Sequence, residues 1–196
     1  MDRKAGILLH ISSLPNKYGI GTLGKEAYRF VDFLEKSGQK YWQVLPITPT
    51  NYGDSPYQSS SVYAFNPYFI DLDMLNEMGL LRKCEYQKEF YGENPQDIDY
   101  ACLFYVKNKV LKKVWGRHEA YEKPFKKFCK ENASWLEGYA LYEAIKESFG
   151  FTAWNTWPDE YRLRDEKTLK KFIKEHKDEI ECKKFIQWLF YYQWMN

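Results

Sequence analysis

The sequence predicts an α/β chain that starts with two parallel strands and continues as a mostly helical region. Two short apolar runs, 6–11 and 41–45, are bounded by turn-forming residues, as is typical of strands buried on both faces. The segment 24–37 between them has apolar residues at helical spacing. Strand, helix and strand with short links form a βαβ unit, so we expect the two strands to be parallel.

The first helix is indicated by apolar residues that share one face, among them Ala27 and Leu34, and by Gly38 as its C-terminal stop. The segment 46–72 that follows the second strand is rich in Pro, Ser, Thr and Asn. Loops of this length are usually functional or disordered, and the many aromatic residues here argue against disorder. We therefore predict a binding loop.

From about residue 73 the sequence has helical spacing almost to its end, with helices predicted at 100–115, 119–131, 134–147, 167–175 and 178–194. Ser134 and Glu137 have the spacing of a capping box that would start the third of these. Two parallel strands do not form a stable sheet alone, so either further strands come from elsewhere or the chain is incomplete. The sequence stops within an apolar helical pattern, which favours the hypothesis of a truncated protein.

Composition excludes some classes of function. The 196 residues carry a net charge of +2 with 29% charged residues, which argues against nucleic acid as the main partner. Aromatic residues reach 19%, which fits either an aromatic core or exposed rings that stack on the apolar faces of sugars. Composition by itself leaves both interpretations open.

Neither a metal nor a cofactor is predicted. The four cysteines are widely spaced, no Cys/His cluster has metal-ligand spacing, and we expect reduced, mostly buried thiols. No signal peptide is evident and no apolar run approaches the ~18 residues of a membrane span. The cytoplasm is the expected location, with no membrane partner.

Two local features have competing interpretations. Residues 19–24 match the G-x-G-x-x-G pattern of dinucleotide-binding proteins, but they do not follow the strand directly and no acidic residue ends the second strand. A glycine-rich turn before the helix is therefore favoured. His10 lies at the end of the first strand, where a barrel would place its active site, but a core histidine bonded to backbone is the favoured interpretation.

The loop segment 53–59 combines turn formers, hydrogen-bonding side chains and an aromatic ring. It could be an ordinary surface turn in which Asp54 and Ser55 bond nearby backbone. It could equally place the ring of Tyr57 on a sugar while Ser55 and Gln58 reach hydroxyl groups. Its chemistry alone does not decide between the two.

Several segments, in order along nearly the whole chain, resemble the 4-alpha-glucanotransferase family, which includes the amylomaltases and plant disproportionating enzymes. The segment 52–59 is similar to the most recognisable N-terminal signature of that family. The other similar segments are 3–10, 13–15, 18–21, 38–39, 42–46, 66–68, 70–72, 135–136, 139–141, 157–158, 187–190 and 193–194.

The resemblance implies the N-terminal portion of a (β/α)8 TIM barrel with a large helical insertion. Residues 1–72 would start the catalytic barrel and carry a substrate-binding loop at 46–68, and residues 73–196 would form the insertion and a return helix. It also implies transfer of alpha-1,4-glucan segments by a retaining mechanism with an Asp nucleophile and a Glu acid/base. We expect these carboxylates beyond residue 196, so no catalytic residue is assigned and the remainder of the enzyme becomes the expected partner.

Binding residues carry over from the resemblance. Ser55 and Tyr57 match residues of donor-side subsites, and Gln58 and Asp54 belong to the same predicted substrate-binding set, Asp54 by shaping the loop. Tyr52 matches an aromatic residue of a secondary glucan site. Phe65 stands where the family often has glycine, which implies a local difference in loop shape. The alternative to an enzyme fragment is a non-catalytic carbohydrate-binding module.

Overall fold

The structure is a computed structural model that describes residues 3–196. Short 3-10 turns lie at Ile11–Ser13, Pro67–Phe69, Lys83–Glu85, His118–Tyr121 and Trp154–Thr156. The regular elements, in chain order, are β1 (Gly6–Leu8), α1 (Lys25–Lys36), β2 (Tyr41–Gln43), α2 (Leu72–Glu77), α3 (Tyr100–Trp115), α4 (Glu122–Glu131), α5 (Ala133–Ser148), α6 (Asp159–Arg162), α7 (Glu166–Glu175) and α8 (Lys177–Met195).

The two strands pair in parallel, as predicted. Gly6 lies opposite Tyr41 and Leu8 lies opposite Gln43. Glycine is required at the start of β1, because a Cβ atom at Gly6 would lie 2.6 Å from the carbonyl oxygen of Tyr41. The Trp42 indole donates a hydrogen bond of 2.7 Å to the Leu9 carbonyl, which ties β2 to the chain just beyond β1.

The prediction that these strands span 6–11 and 41–45 and are buried on both faces is wrong. Each strand has three residues, and Leu8 and Tyr41 are each 57% exposed. The chain turns into the 3-10 segment Ile11–Ser13 directly after β1, which ends the pairing. An apolar run indicates that a strand will be covered, but it cannot indicate whether the covering layer lies in the same stretch of sequence.

Helix α1 ends as the sequence predicts. Gly38 has a φ of 73°, a left-handed conformation that glycine adopts without strain. Its N–H donates to the Glu35 carbonyl at 3.0 Å, and the Gln39 N–H donates to the Leu34 carbonyl at 2.9 Å. These bonds satisfy carbonyls at the helix end and direct the chain into β2.

The chain forms two compact units, one comprising the residues up to Ala120 together with Leu189–Asn196, and the other Tyr121–Trp188. The core of the second unit contains Ala140, Ala144, Ile145, Trp157, Phe172 and Ile180. The first unit buries apolar residues of α2 and α3, including Leu72, Leu75, Leu103, Val110 and Leu111. The predicted division at residue 72 stays a prediction.

Two local predictions in the helical region are wrong. Helix α5 begins at Ala133, before the predicted capping box at Ser134, because α4 and α5 are separated only by Asn132. The side chain of Asn132 instead donates to the Phe128 carbonyl at 2.9 Å, at the end of α4. No disulfide links the four cysteines, and only Cys182 of the four is buried, so the prediction of mostly buried thiols is wrong.

Across residues 3–196 no helix combines the length and the apolarity needed to cross a membrane. Within the same residues no group of His, Cys, Asp and Glu side chains has the geometry of a metal site.

Candidate functional site

The long loop after β2 is closed at its base. The Asn66 backbone N–H donates to the Ile47 carbonyl at 2.9 Å, which joins the two ends of the loop. Asn66 is buried, and its side-chain oxygen accepts from the Tyr68 N–H at 3.0 Å at the start of the following 3-10 turn. The segment between Ile47 and Asn66 is therefore a folded loop with a fixed base.

The tip of the loop is held by its own backbone. The Asp54 N–H donates to the Asn51 carbonyl at 2.9 Å, and the Asn51 N–H donates to the Gln58 carbonyl at 3.2 Å. Gly53 and Asp54 have φ angles of 93° and 53°, so two consecutive residues adopt the left-handed conformation. Glycine tolerates this conformation, and Asp is among the few other residues that do so readily. The 53–59 segment is therefore locally specified.

The predicted binding residues lie together on this loop. Tyr52 is fully exposed, Tyr57 is 74% exposed, and Gln58 is also exposed. Ser55 is half-buried, and its hydroxyl accepts a 3.4 Å hydrogen bond from the Tyr57 N–H. An exposed ring beside hydroxyl and amide groups can cover the apolar face of a sugar while its neighbours bond the sugar hydroxyls.

The Asp54 side chain makes contacts within the loop. Its carboxylate accepts a hydrogen bond of 3.2 Å from the Thr50 hydroxyl, and burial raises its pKa. Burial and then the charge of Asp54 raise the pKa values of Tyr68 and Tyr100, whose rings are 6.3 Å apart. The carboxylate therefore interacts with this tyrosine pair, in keeping with the interpretation that it shapes the loop. Sequence reasoning missed Tyr100, because no local pattern connects the start of α3 with this loop.

His10 follows β1 and is half-buried, and its Nδ1 atom does not make the backbone hydrogen bond that was favoured for a core histidine. Its Nδ1 atom is buried and has no hydrogen-bond partner among residues 3–196, and its ring packs edge-on against Phe69 at 5.3 Å. Burial lowers the pKa of the imidazole, which favours the neutral form.

The glycine-rich segment 19–24 is a packed turn. A Cβ atom at Gly21 would lie 1.9 Å from the Ile11 carbonyl oxygen, so the glycine is required by close packing. The N–H groups of Gly21 and Leu23 already donate to the carbonyls of Ser12 and Phe69. A phosphate-binding loop needs such N–H groups directed at the ligand, and this turn uses them internally.

A separate open groove of about 1260 Å³ lies beside α1 and α2 and is lined by none of the predicted binding residues of the 52–58 segment. On its wall the Asp73 carboxylate accepts hydrogen bonds from the Tyr18 and Tyr86 hydroxyls at 2.7 and 2.6 Å. Lys17 lies 3.5 Å from the same carboxylate. The predicted site is therefore on an exposed loop, outside this groove.

A parallel strand pair joined through a helix and followed by a long structured loop places the described residues in the α/β class. The sequence profile of glycoside hydrolase family 77, described as 4-alpha-glucanotransferase, matches residues 9–196. The chain therefore belongs to the 4-alpha-glucanotransferase family, as the resemblance indicated.

Individual relatives support the same family assignment. A 4-alpha-glucanotransferase of Clostridium butyricum is 48% identical over 189 residues, which is 96% of this chain and 39% of the relative. One from Thermus thermophilus is 43% identical over 199 residues, again 39% of its length. The structure of Streptococcus agalactiae amylomaltase in complex with acarbose matches with a TM-score of 0.93 and 40% identity, over 99% of this chain and 40% of that one. The chain thus spans about two fifths of the length of these relatives.

Proposed function

We propose that this chain is the N-terminal part of a 4-alpha-glucanotransferase and contributes a glucan-binding surface to it. The main support for this proposal is the closed loop, which exposes Tyr57 and Tyr52 to solvent beside Ser55 and Gln58. The match to an amylomaltase whose structure contains acarbose supports an alpha-glucan as the ligand. Ser55, Tyr57 and Gln58 would hold the donor chain, Asp54 would shape the loop, and Tyr52 would serve a secondary glucan site.

The proposal includes the architecture of the whole protein. The two strands would be the first two of a (β/α)8 barrel, with residues 73–196 as a helical insertion. The exposure of Leu8 and Tyr41 supports this, because strands with apolar faces are stable only when neighbouring strands and helices cover them. The 39% coverage of the Clostridium butyricum relative leaves sufficient chain for the remaining strands.

The chemistry would depend on residues beyond position 196. In a retaining transfer, a carboxylate nucleophile displaces one part of the glucan and forms a covalent glycosyl-enzyme. A second carboxyl group, ~5 Å away, protonates the leaving oxygen and then deprotonates the acceptor hydroxyl. The loop would hold the donor chain in register with these groups, so it would act by binding and orientation.

A hybrid protein tests this proposal. It joins this chain to the remaining length of the Clostridium butyricum relative, and transfer between maltotriose molecules is measured. In this hybrid, Tyr57→Ala should raise KM about tenfold, because a lost stacking contact of about 1.4 kcal/mol corresponds to that factor. Tyr57→Phe keeps the ring and should change KM by less.

Val62→Ala is the matched control, since Val62 is 82% exposed on the same loop and has no aromatic ring. An equal rise of KM in the Val62 and Tyr57 variants would contradict a specific role for the tyrosine.

The isolated chain distinguishes an enzyme portion from a self-contained carbohydrate-binding module. A barrel portion should show no transfer on maltotriose and a tendency to associate through its open strand edges. A self-contained module should bind maltooligosaccharide without the remaining chain, and this result would replace the proposed function.

A further inference from the structure

The side chain of Gln193, near the end of α8, binds the backbone of Asp71 at both of its polar atoms. The Asp71 N–H donates to Gln193 Oε1 at 2.7 Å, and Gln193 Nε2 donates to the Asp71 carbonyl at 3.0 Å. Both residues are buried. Two parallel hydrogen bonds fix orientation as well as distance. The Gln193 side-chain amide therefore pairs with the Asp71 backbone as a residue of a neighbouring strand would.

A second contact joins the same helix to the loop. The rings of Phe190 and Phe65 stack with centroids 4.4 Å apart and an angle of 4° between their planes. Phe190 and Gln193 are three residues apart, so they lie on one face of α8. Phe65 directly precedes Asn66, the residue that closes the base of the loop.

We propose that Phe190 and Gln193 position the glucan-binding loop at 46–68. They hold the chain at Phe65 and at Asp71, on both sides of the residue that closes the loop. Gln193 is a positioning residue that does not touch substrate. A loop held in its binding conformation loses less conformational freedom when a ligand binds, which increases affinity. The part of this inference that concerns glucan rests on the proposed function.

Other contacts to this segment do not involve α8. Lys107 Nζ donates to the Ile70 carbonyl at 2.9 Å, and the Thr22 hydroxyl donates to the Asp71 carboxylate at 2.6 Å. These contacts should keep the start of α2 folded when the Gln193 amide is removed. Loss of the amide should then loosen the loop selectively.

Hydrogen exchange of the hybrid protein tests the positioning. Gln193→Met keeps the length of the side chain and removes its amide, and the readout is the exchange rate of the backbone amides of 51–64. Gln187→Met is the matched control, because Gln187 is a buried glutamine of the same helix whose amide donates to the Tyr139 hydroxyl at 3.5 Å. We expect about tenfold faster loop exchange in the Gln193 variant and no change at the loop in the control.

The kinetics of the same hybrid protein supply the second readout. Gln193→Met should raise KM for maltotriose about tenfold while kcat changes by less than about twofold, because loop order contributes to binding. A general loss of structure would lower kcat as well, and the Gln187→Met variant would then behave in the same way.

Unchanged loop exchange in a folded Gln193→Met chain, or equal acceleration in both variants, would overturn the positioning role. Faster loop exchange with unchanged KM would overturn its connection to glucan. In that case Tyr57→Ala shows whether the proposed function fails as well, since that variant tests the loop itself. If Gln193→Met does not fold, Phe65→Leu removes the stack from the loop side, and the same outcomes apply.

Discussion

Lys107 should make the stability of this chain increase in mild alkali. Its side chain lies on α3 and is only 1% exposed, and its ammonium group donates to the Ile70 carbonyl at 2.9 Å. Burial lowers the pKa of Lys107 from 10.5 to about 8, although the charge of Asp71 opposes this shift. The charged form is therefore disfavoured in the folded chain relative to the unfolded chain.

The sign and size of the effect follow from proton linkage. Below pH 8 both states carry the proton, and the cost of the buried charge counts in full. Between pH 8 and 10.5 the unfolded chain binds more protons than the folded chain, so the free energy of unfolding rises with pH. The full difference is about 3 kcal/mol, since one pKa unit corresponds to about 1.4 kcal/mol. About 2 kcal/mol of it is reached between pH 7 and 9.5.

Urea unfolding followed by tryptophan fluorescence at pH 7, 8.5 and 9.5 measures this effect. The quantity to compare is the difference in free energy of unfolding between the parent chain and Lys107→Met, which keeps an apolar side chain of similar length. Other groups that titrate in alkali, such as the Cys129 thiol, whose pKa burial raises to about 11, cancel in this difference. The free energy of unfolding of the parent chain minus that of Lys107→Met should rise by about 2 kcal/mol between pH 7 and 9.5. A value that stays constant or falls over this range would refute the reasoning.

Two further predictions concern packing and an ion pair. Gly21→Ala should destabilise the chain by more than about 3 kcal/mol, because the new Cβ would lie 1.9 Å from the Ile11 carbonyl oxygen. Relief of this clash would require a shift of the backbone itself. Gly138 lies in α5, where a new Cβ would meet no atom within 4 Å, so Gly138→Ala should stabilise the chain by about 0.5–1 kcal/mol. Equal urea midpoints for the two variants would contradict this explanation. Arg117 binds both carboxylate oxygens of Glu85, at 2.8 and 2.9 Å, and holds the pKa of Glu85 at about 2. Glu85→Gln should therefore lower the free energy of unfolding by about 1 kcal/mol at pH 7. The loss should become progressively smaller as pH falls from 4.5 toward 2, because the Glu85 carboxylate of the parent chain is then protonated. A loss of the same size at pH 2 would exclude the ion pair as its cause.

Those features that depend on neighbouring residues could be predicted from the sequence. The parallel pairing of β1 and β2 follows from two apolar runs joined through a helix, because such a connection returns the chain in the same direction. The end of α1 at Gly38 follows from the left-handed conformation that glycine adopts there. The sequence also predicts a binding loop at 46–68 with Ser55, Tyr57 and Gln58, because turn formers and aromatic residues are adjacent there.

What the tertiary structure decided depends on residues that are far apart in the chain. The amide of Gln193 lies on the backbone of Asp71, and Asp54 interacts with Tyr100, yet no local periodicity connects either pair. The exposure of Leu8 and Tyr41 in the strands also depends on the tertiary structure, because a strand is buried only where other segments of the protein pack against its faces. Local patterns determine conformation over a few residues, whereas contacts between distant segments determine burial and hydrogen-bond partners, and only the folded chain brings those segments together.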